Sequence, residues 1–152
     1  RLLALRHAQP GHGSELMAGA ASADWRTLES FAFGDSPEMA DRLLGFVLAG
    51  GKTASCWSVA DGQQTEIGKR MVVLDGRGRP RAVIETVSLK QTRFCDVTWD
   101  FASAEGEGDK DLNDWREGHR AYFTRNGGFD PEMMLWCERF RLIEIIGEGA
   151  DQ

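Results

Sequence analysis

The chain has 152 residues, of which 41% are hydrophobic and 28% are charged. This length and balance exclude a disordered chain and fit one globular domain with a sizeable core. The net charge of −6 argues against a protein that coats duplex nucleic acid, because that binding depends on Lys and Arg neutralising phosphates, but it leaves room for a pocket that recognises one nucleotide or a short single strand.

The N-terminal segment, residues 1–22, is rich in Ala, Gly, His and Ser, and we expect a poorly ordered leader there. Its apolar stretch is too short for a signal peptide, and it lacks a small-residue cleavage site. A single domain is predicted over residues 23–148. It begins with a short predicted helix over residues 24–31, where aromatic and leucine side chains recur at helical spacing.

The clearest helix is predicted over residues 37–48, "PEMADRLLGFVL". Ser36 is a favourable N-cap, and Pro37 occupies the first helical position, where its missing N–H costs nothing. A stripe of Met, Leu, Phe and Val side chains then follows at helical spacing. Gly50 and Gly51 end the helix, because glycine readily adopts the left-handed conformation at that position.

Strand patterns dominate the following segments, and "GRGR" predicts a hairpin turn between two of them. Strands at short spacing favour a small barrel, the usual way to remove open sheet edges. We therefore expect an α+β fold, a small mixed β-barrel flanked by helices. The predicted strands are residues 54–60, 70–75, 80–89, 93–99 and 134–146.

A polar, glycine-rich loop over residues 102–111 precedes a second predicted helix over residues 111–125, with Asp109 or Asp111 as its cap. The apolar side chains of this helix recur at spacings of three and four, which is typical of a buried face. That stripe consists of Leu112, Trp115, His119 and Phe123.

The cysteines and histidines show no familiar metal-binding spacing. The three cysteines lie far apart without a C-x-x-C pair, which favours reduced core residues in a cytoplasmic protein. The three histidines form no H-x-x-x-H or H-x-E cluster, so neither a metal nor a cofactor is expected. No apolar segment approaches the ~18–20 residues that span a membrane.

The segment "LAGGKTASCWS" has the look of a phosphate-binding loop. That motif, however, needs a glycine six residues before its lysine and a helix after it. Phe46 stands at the glycine position, and the predicted helix precedes the loop, so we reject this interpretation. Lys52 then either complements the negative end of the helix dipole or, with its pKa lowered by burial, acts as the base for a hydroxyl nucleophile.

Ser55 is the favoured hydroxyl for such a reaction, and Thr53 is its competitor. Ser55 begins a predicted strand on the same face as Trp57. A hydroxyl and an ammonium group would therefore converge beside an aromatic wall.

The loop "AEGEGD" carries Glu105, Glu107 and Asp109 at alternate positions. It is either a solvated acidic loop or part of a site, where the glycines allow a ligand to approach the backbone closely. In a site, one carboxylate would orient Lys52, or one beside an apolar pocket would act as an acid or base.

The segment "WREGHRAYF" adds candidates on the second helix. Its aromatic side chains fit a buried stripe better than a base-stacking platform, and His119 is either a half-buried structural residue or a catalyst. Arg116 and Arg120 lie one turn apart. They either bind an anion or pair with Glu117 and Asp114, a choice that the residues leave open.

Together these motifs resemble the ASCH domain family, in particular a bacterial branch of it. The resemblance extends from Trp25 to Ile146 and includes "FGDSPEMADRLLGFVLAGGKTASCW", "AEGEGD", "WREGHRAYF" and "ERFRLIEI". The G-x-K-x-x-[ST] element at residues 50–55 is the signature of the family. The resemblance implies a PUA-like fold with a cleft suited to RNA or a nucleoside.

Some members of this branch are similar to amidohydrolases that remove the acyl group from N4-acetylcytidine. This similarity implies that Lys52, Ser55 and Glu107 are catalytic, with Glu105 as the second choice for the carboxylate and backbone amides near Gly51 as oxyanion donors. The expected partner is a nucleoside, and the alternatives are a metal-assisted ribonuclease and a non-catalytic RNA-binding module. The candidate binding residues are Gly51, Thr53, Trp57, Glu105, Arg116 and His119.

Overall fold

The computed structural model describes residues 24–147, which form one mixed five-stranded sheet with three helices. The leader predicted for residues 1–22 lies outside this part of the chain. The strands are β1 (Ser30–Phe31), β2 (Ala54–Ser58), β3 (Arg70–Leu74), β4 (Pro80–Arg93) and β5 (Met134–Ile145). The helices are α1 (Pro37–Leu48), α2 (Trp99–Ala104) and α3 (Leu112–Arg125).

The order of strands across the sheet is β1-β3-β4-β5-β2. β1 runs parallel to β3, and the other neighbours are antiparallel. The register of the long β4–β5 pair shifts between Val83 and Ile84 and again between Thr86 and Ser88. Such irregularities bend strands and increase their twist. The result is a mixed sheet with β1 and β2 at its two ends, in agreement with the expected α+β class.

Buried apolar side chains form clusters, one of which includes residues of α1 and another residues of α2 and α3. Leu43, Leu44 and Val47 of α1 pack with a cluster that includes Phe33 and Phe140. α2 and α3 cover a second cluster, whose buried aromatic members are Phe94, Phe101, Trp115 and Phe123. The loop that joins α2 to α3 is thereby held beside the end of α1. Within residues 24–147, no helix is long and apolar enough to cross a membrane.

The helix boundaries agree with the local signals that predicted them. Ser36 Oγ accepts the backbone N–H of Met39 at 3.1 Å, and Pro37 opens α1. Asp111 caps α3 by accepting the N–H of Asp114 at 2.8 Å. After α1, Gly50 adopts a positive φ of 89°, which glycine tolerates without strain.

Two predicted elements are wrong. Residues 24–31 form a 3₁₀ turn (Trp25–Thr27) followed by β1, because parallel pairing with β3 buries Phe31 and overrides helical spacing. Residues 93–99 are not a strand: β4 continues to Arg93, a 3₁₀ turn follows at Phe94–Asp96, and α2 then begins.

The physical reason for the second difference is local as well as tertiary. Arg93 Nε donates to Asp96 Oδ2 at 2.9 Å across the turn, and Phe94 stacks on Trp115 with 5.4 Å between ring centroids. The predicted loop over residues 102–111 therefore begins inside α2. The strand predicted over residues 54–60 ends earlier, at Ser58, whose Oγ accepts the N–H of Ala60 and starts another 3₁₀ turn.

Candidate active site

A pocket of about 190 Å³ lies between α1, β2, α3 and the α2–α3 loop. Charged and apolar side chains share its wall, which is the usual composition of a small-molecule site. The lining residues are Gly34, Met39, Arg42, Leu43, Cys56, Glu105, Glu107, Asp109, Gly118, His119, Tyr122, Phe123 and Arg125.

Lys52 lies beside this pocket with only 1% of its side chain exposed. Its Nζ donates to Glu107 Oε2 at 2.6 Å and to the backbone carbonyl of Ala54 at 2.8 Å. The ammonium group also lies 5.2 Å from the centre of the Phe33 ring. A buried lysine needs such partners to stay ionised. The structure thus joins the lysine after α1 to a carboxylate of the α2–α3 loop.

The protonation state of Lys52 follows from its two acidic neighbours. Burial alone would lower the pKa of Lys52, but the charges of Glu107 and Glu105 outweigh it and raise the pKa above its ordinary value. Of the two roles left open for Lys52 from the sequence, the one that needs a lowered pKa is therefore contradicted for the resting protein. With two acceptors at hydrogen-bond distance and a raised pKa, Lys52 is an ammonium ion in the resting protein.

Glu105 forms a second buried charged centre with α3. Glu105 Oε1 accepts the indole N–H of Trp115 at 2.7 Å and the Nε2–H of His119 at 2.9 Å. The other ring nitrogen of His119, Nδ1, lies 3.0 Å from the backbone carbonyl of Trp115. Both ring nitrogens therefore face acceptors, so His119 carries two protons and a positive charge.

The pKa values of this pair move in opposite directions. Burial alone would raise the pKa of Glu105, but the charges of His119 and Lys52 and two hydrogen bonds lower it to about 2. For His119, burial alone would lower the pKa, but the Glu105 carboxylate raises it above its ordinary value. An ion pair is the stable form in this environment.

This pair predicts a bell-shaped pH dependence of stability. The Glu105 contribution is lost as pH falls from the ordinary pKa of 4.5 towards about 2, and the His119 contribution is lost as pH rises from 6.5 through its raised pKa. The pair therefore stabilises the fold fully between about pH 4.5 and 6.5. We expect the unfolding free energy of wild type minus that of His119→Gln to be largest in this window.

Urea denaturation of both proteins across that range measures the difference, and the subtraction removes the titration of groups remote from the pair. A difference that keeps growing as the pH rises from about 7 to about 9 would contradict the assignment of His119 as a cation.

Gly106 explains why the acidic loop alternates with glycine. It has a φ of +59°, and a Cβ built there would lie 2.0 Å from the carbonyl oxygen of Gly51. The loop thus packs against the backbone next to Lys52, and the backbone N–H of Thr53 donates to Ala104 at 2.8 Å. Only glycine allows this approach, which brings the carboxylates on either side of it to the pocket.

Ser55 follows directly after the residue that anchors Lys52. The Ala54 carbonyl that accepts Lys52 Nζ is bonded to the Ser55 nitrogen. Ser55 itself is buried, and across the sheet it pairs with Glu138, which accepts the hydroxyl of Thr86 at 2.6 Å. Ser55 is therefore adjacent to the lysine along the chain, while its strand neighbour Cys56 is the residue that lines the pocket.

The remaining predicted binding residues fall into two groups. Glu105 and His119 line the pocket. Trp57, Thr53 and Arg116 do not belong to its lining. The Trp57 indole N–H donates to Gly62 at 2.8 Å, the Thr53 hydroxyl faces Ala104 at 3.3 Å, and Arg116 donates to Cys95 at 3.4 Å.

The backbone amides near Gly51 have other partners. The N–H groups of Gly51 and Lys52 both donate to the carbonyl of Phe46, at 3.0 and 3.2 Å, and that of Gly50 donates to Val47 at 3.0 Å. They complete the C-terminal cap of α1. The Lys52 ammonium, rather than these amides, is the donor next to the pocket.

Sequence spacing did not predict a group of three side chains whose ligand atoms lie close enough together to hold a metal ion. Cys56, Glu105 and His119 each place one ligand atom within 4.8 Å of the others. Thiolate, imidazole and carboxylate are donors that zinc accepts. In the structure, however, His119 Nε2 and Glu105 Oε1 already satisfy each other, and burial together with Glu105 raises the pKa of the Cys56 thiol well above its ordinary value. The Glu105–His119 ion pair therefore accounts for the short distance between two of the three ligand atoms.

Several lining residues were not predicted as parts of the site from the sequence, among them Arg42, Cys56 and Tyr122. Arg42 of α1 donates to the backbone carbonyl of Glu107 at 3.1 Å and lies at the pocket. Cys56 had been interpreted as core, and Tyr122 as part of a buried stripe. Tyr122 follows His119 by three positions, so the two side chains are neighbours on one face of the helix. This spacing is the sequence signal that could have placed Tyr122 at the site.

The geometry agrees with a comparison to known families, in which the ASCH domain matches residues 29–144. The chain belongs to the ASCH domain family. Among proteins with curated descriptions, none matches this sequence. The family match covers α1, the Lys52 segment, the acidic loop and α3. It therefore includes both charged pairs, Lys52–Glu107 and Glu105–His119.

Solved structures give the same result. A protein from Enterococcus faecalis V583 is 32% identical, with 76% of each chain covered and a TM-score of 0.69. An ASCH domain from Lactobacillus crispatus JV V101 is 31% identical, with 74% of this chain and 77% of that chain covered and a TM-score of 0.68. An ASCH protein from Zymomonas mobilis, at 14% identity and a TM-score of 0.50 over 80% of this chain and 74% of that chain, shares the fold. The expected PUA-like α+β fold is confirmed.

Proposed function

We propose that this ASCH domain hydrolyses the amide of N4-acylated cytosine nucleosides. The observation that carries the proposal is the contact between buried Lys52 Nζ and half-buried Glu107 Oε2, 2.6 Å apart at the wall of a small pocket. Such a pair can exchange a proton over a short distance while little bulk water competes for it. The family resemblance, with its lysine, hydroxyl and glutamate, supplies the substrate class.

The charge of the pocket favours a neutral ligand. The cationic side chains in its lining are Arg42, His119 and Arg125, and the carboxylates are Glu105, Glu107 and Asp109. Lys52 beside the pocket adds a fourth cation, and Asp35, the ion-pair partner of Arg125, adds a fourth carboxylate, so the local charges balance. A nucleoside is neutral, whereas a long RNA strand is bound mainly through neutralised phosphates. The net charge of −6 points in the same direction.

In the proposed reaction the Ser55 hydroxyl attacks the acyl carbonyl, a role that comes from the family resemblance, since Cys56 and not Ser55 lines the pocket. Lys52 passes a proton to Glu107 and accepts the Ser55 proton, so that the ammonium is restored beside the developing oxyanion. The carbon–nitrogen bond then breaks, and Glu107 returns its proton to the leaving N4 nitrogen. Cytidine departs, and the acyl group remains as an ester on Ser55.

The second half of the reaction consumes one water molecule. Its oxygen attacks the ester carbon, and Lys52 takes its proton while passing one to Glu107. The carbon–oxygen bond to Ser55 breaks, and the proton returns to the Ser55 oxygen. A carboxylic acid leaves, and the side chains return to their starting protonation states.

Replacing Ser55 with alanine tests the nucleophile. We expect Ser55→Ala to lose at least about 10³-fold in turnover of N4-acetylcytidine, because the covalent route is removed. Ser103→Ala, which changes an exposed serine on α2, is the matched control and should keep wild-type turnover. Mass spectrometry of wild type quenched during turnover should find an acetyl group on the peptide that contains Ser55.

Undiminished turnover by Ser55→Ala would show that water attacks the amide directly. In that event the Lys52–Glu107 pair would remain the proton-transfer pair, but Ser55 would lose its catalytic role.

A further inference from the structure

Tyr122 carries a hydroxyl group that the fold leaves without a bond. It is the single tyrosine of the sequence, and it lies on α3 in the wall of the pocket. Within residues 24–147 its Oη is buried and has no hydrogen-bond partner. Because buried hydroxyl groups are almost always paired, an unpaired one beside a pocket points to a ligand.

The ring of Tyr122 is held in place although its hydroxyl is not. It packs edge-on against Phe123 with 5.7 Å between centroids, and the guanidinium of Arg125 lies 5.2 Å from its ring centre. Burial raises the pKa of the phenol, and the nearby Asp35 adds to this, so the hydroxyl keeps its proton. The pocket therefore has a positioned, neutral hydrogen-bond donor.

The other groups at the pocket are suited to different parts of a ligand. The carboxylates of Glu107 and Glu105 accept hydrogen bonds, and both N–H groups of His119 are already used. Lys52, behind the wall, is assigned to the acyl oxygen in the proposed reaction. A ligand that presents a further acceptor, such as a ring carbonyl or ring nitrogen, would find its donor in Tyr122.

We propose that the Tyr122 hydroxyl is a specificity-determining contact that donates a hydrogen bond to a ring acceptor of the bound nucleobase. This inference rests on the proposed function, because the acylated cytosine supplies the acceptor. It adds a recognition role to a residue that takes no part in proton transfer.

Kinetics of Tyr122→Phe test the contact. The phenylalanine keeps the ring and removes only the hydroxyl, so we expect KM for N4-acetylcytidine to rise about 10-fold, with kcat within about threefold of wild type. An unchanged KM in Tyr122→Phe would overturn the proposed contact. If wild type still released cytidine, the proposed function would stand. Absence of cytidine release from wild type, with no binding of N4-acetylcytidine, would overturn both.

Stability of the ligand-free protein separates recognition from a structural role. Removing an unpaired buried hydroxyl should leave Tm unchanged or slightly raised, because its desolvation is relieved. A fall of more than about 5 °C in Tyr122→Phe would show that the hydroxyl supports the fold and would overturn the proposal.

Because the sequence has one tyrosine, incorporation of 3-fluorotyrosine gives one ¹⁹F NMR resonance that reports on Tyr122 directly. The Glu107→Gln variant prevents turnover during the measurement. We expect N4-acetylcytidine to change the chemical shift of this resonance in a saturable way. Cytidine should change it less. A resonance that stays in place while the nucleoside binds by calorimetry would overturn the contact.

Discussion

Replacing Lys52 with methionine is expected to reduce turnover of N4-acetylcytidine by at least about 10³-fold. Methionine has similar length and fills the buried position, but it has neither a proton to pass to Glu107 nor a charge to stabilise an oxyanion. Cytidine release measured by chromatography gives the rate. Lys110→Met, which changes an exposed lysine next to the acidic loop, should retain wild-type turnover.

Glu107→Gln provides the second half of this test. The amide keeps a hydrogen-bond acceptor near Lys52 but takes up no proton, so a comparable loss is expected. Because both residues act in one transfer, the double variant should be little worse than either single variant. Losses that multiply in the double variant would show that the two residues act independently.

Replacing Trp115 with alanine is expected to destabilise the domain by about 3–5 kcal/mol. Trp115 has no exposed surface, and it stacks on Phe94 and, with 4.1 Å between centroids, on His119. Its loss would open a cavity and remove one donor from buried Glu105. Urea denaturation measures the change, and Trp99→Ala, at a tryptophan that is 40% exposed, should cost less than about 1 kcal/mol.

Trp115→Phe separates packing from hydrogen bonding. It retains an aromatic ring but lacks the indole N–H, so it should be less destabilising than alanine and should weaken the Glu105–His119 pair. Equal stability of Trp115→Ala and wild type would contradict the placement of this side chain at the centre of the α3 core.

Local signals were sufficient for the two long helices. Ser36 caps α1 as predicted, and Asp111, one of the two predicted candidates, caps α3; these contacts span three residues. Periodicity likewise placed the buried face of α3, because Trp115 and Phe123 are its fully buried members. Helices whose ends and buried faces depend on residues a few positions apart can be predicted from the local sequence.

Long-range contacts decided the elements that were predicted wrongly. β1 exists because Ser30 and Phe31 pair with β3, some forty residues away along the chain, as the register Ser30–Val72 shows. α2 follows a turn that is fixed by Phe94 against Trp115. Neither partner is visible in the local pattern, so helical spacing and strand composition each gave the wrong element.

The candidate site shows the same division. The motifs around Lys52 and in the acidic loop predicted that a carboxylate could orient the lysine, and the resemblance implied that this carboxylate is Glu107. The Glu105–His119 ion pair and the free hydroxyl of Tyr122 depend on how α3 packs. The pKa of Lys52 is raised because Glu105 and Glu107 act on it together, an effect that burial alone would have reversed.

The most direct test of the central claim is whether the purified protein releases cytidine from N4-acetylcytidine. We predict release by wild type and by Lys110→Met, and at least about 10³-fold slower release by Lys52→Met. No release by wild type, or equal release by Lys52→Met, would contradict the account, and cleavage of labelled RNA in the same preparation would then favour a ribonuclease.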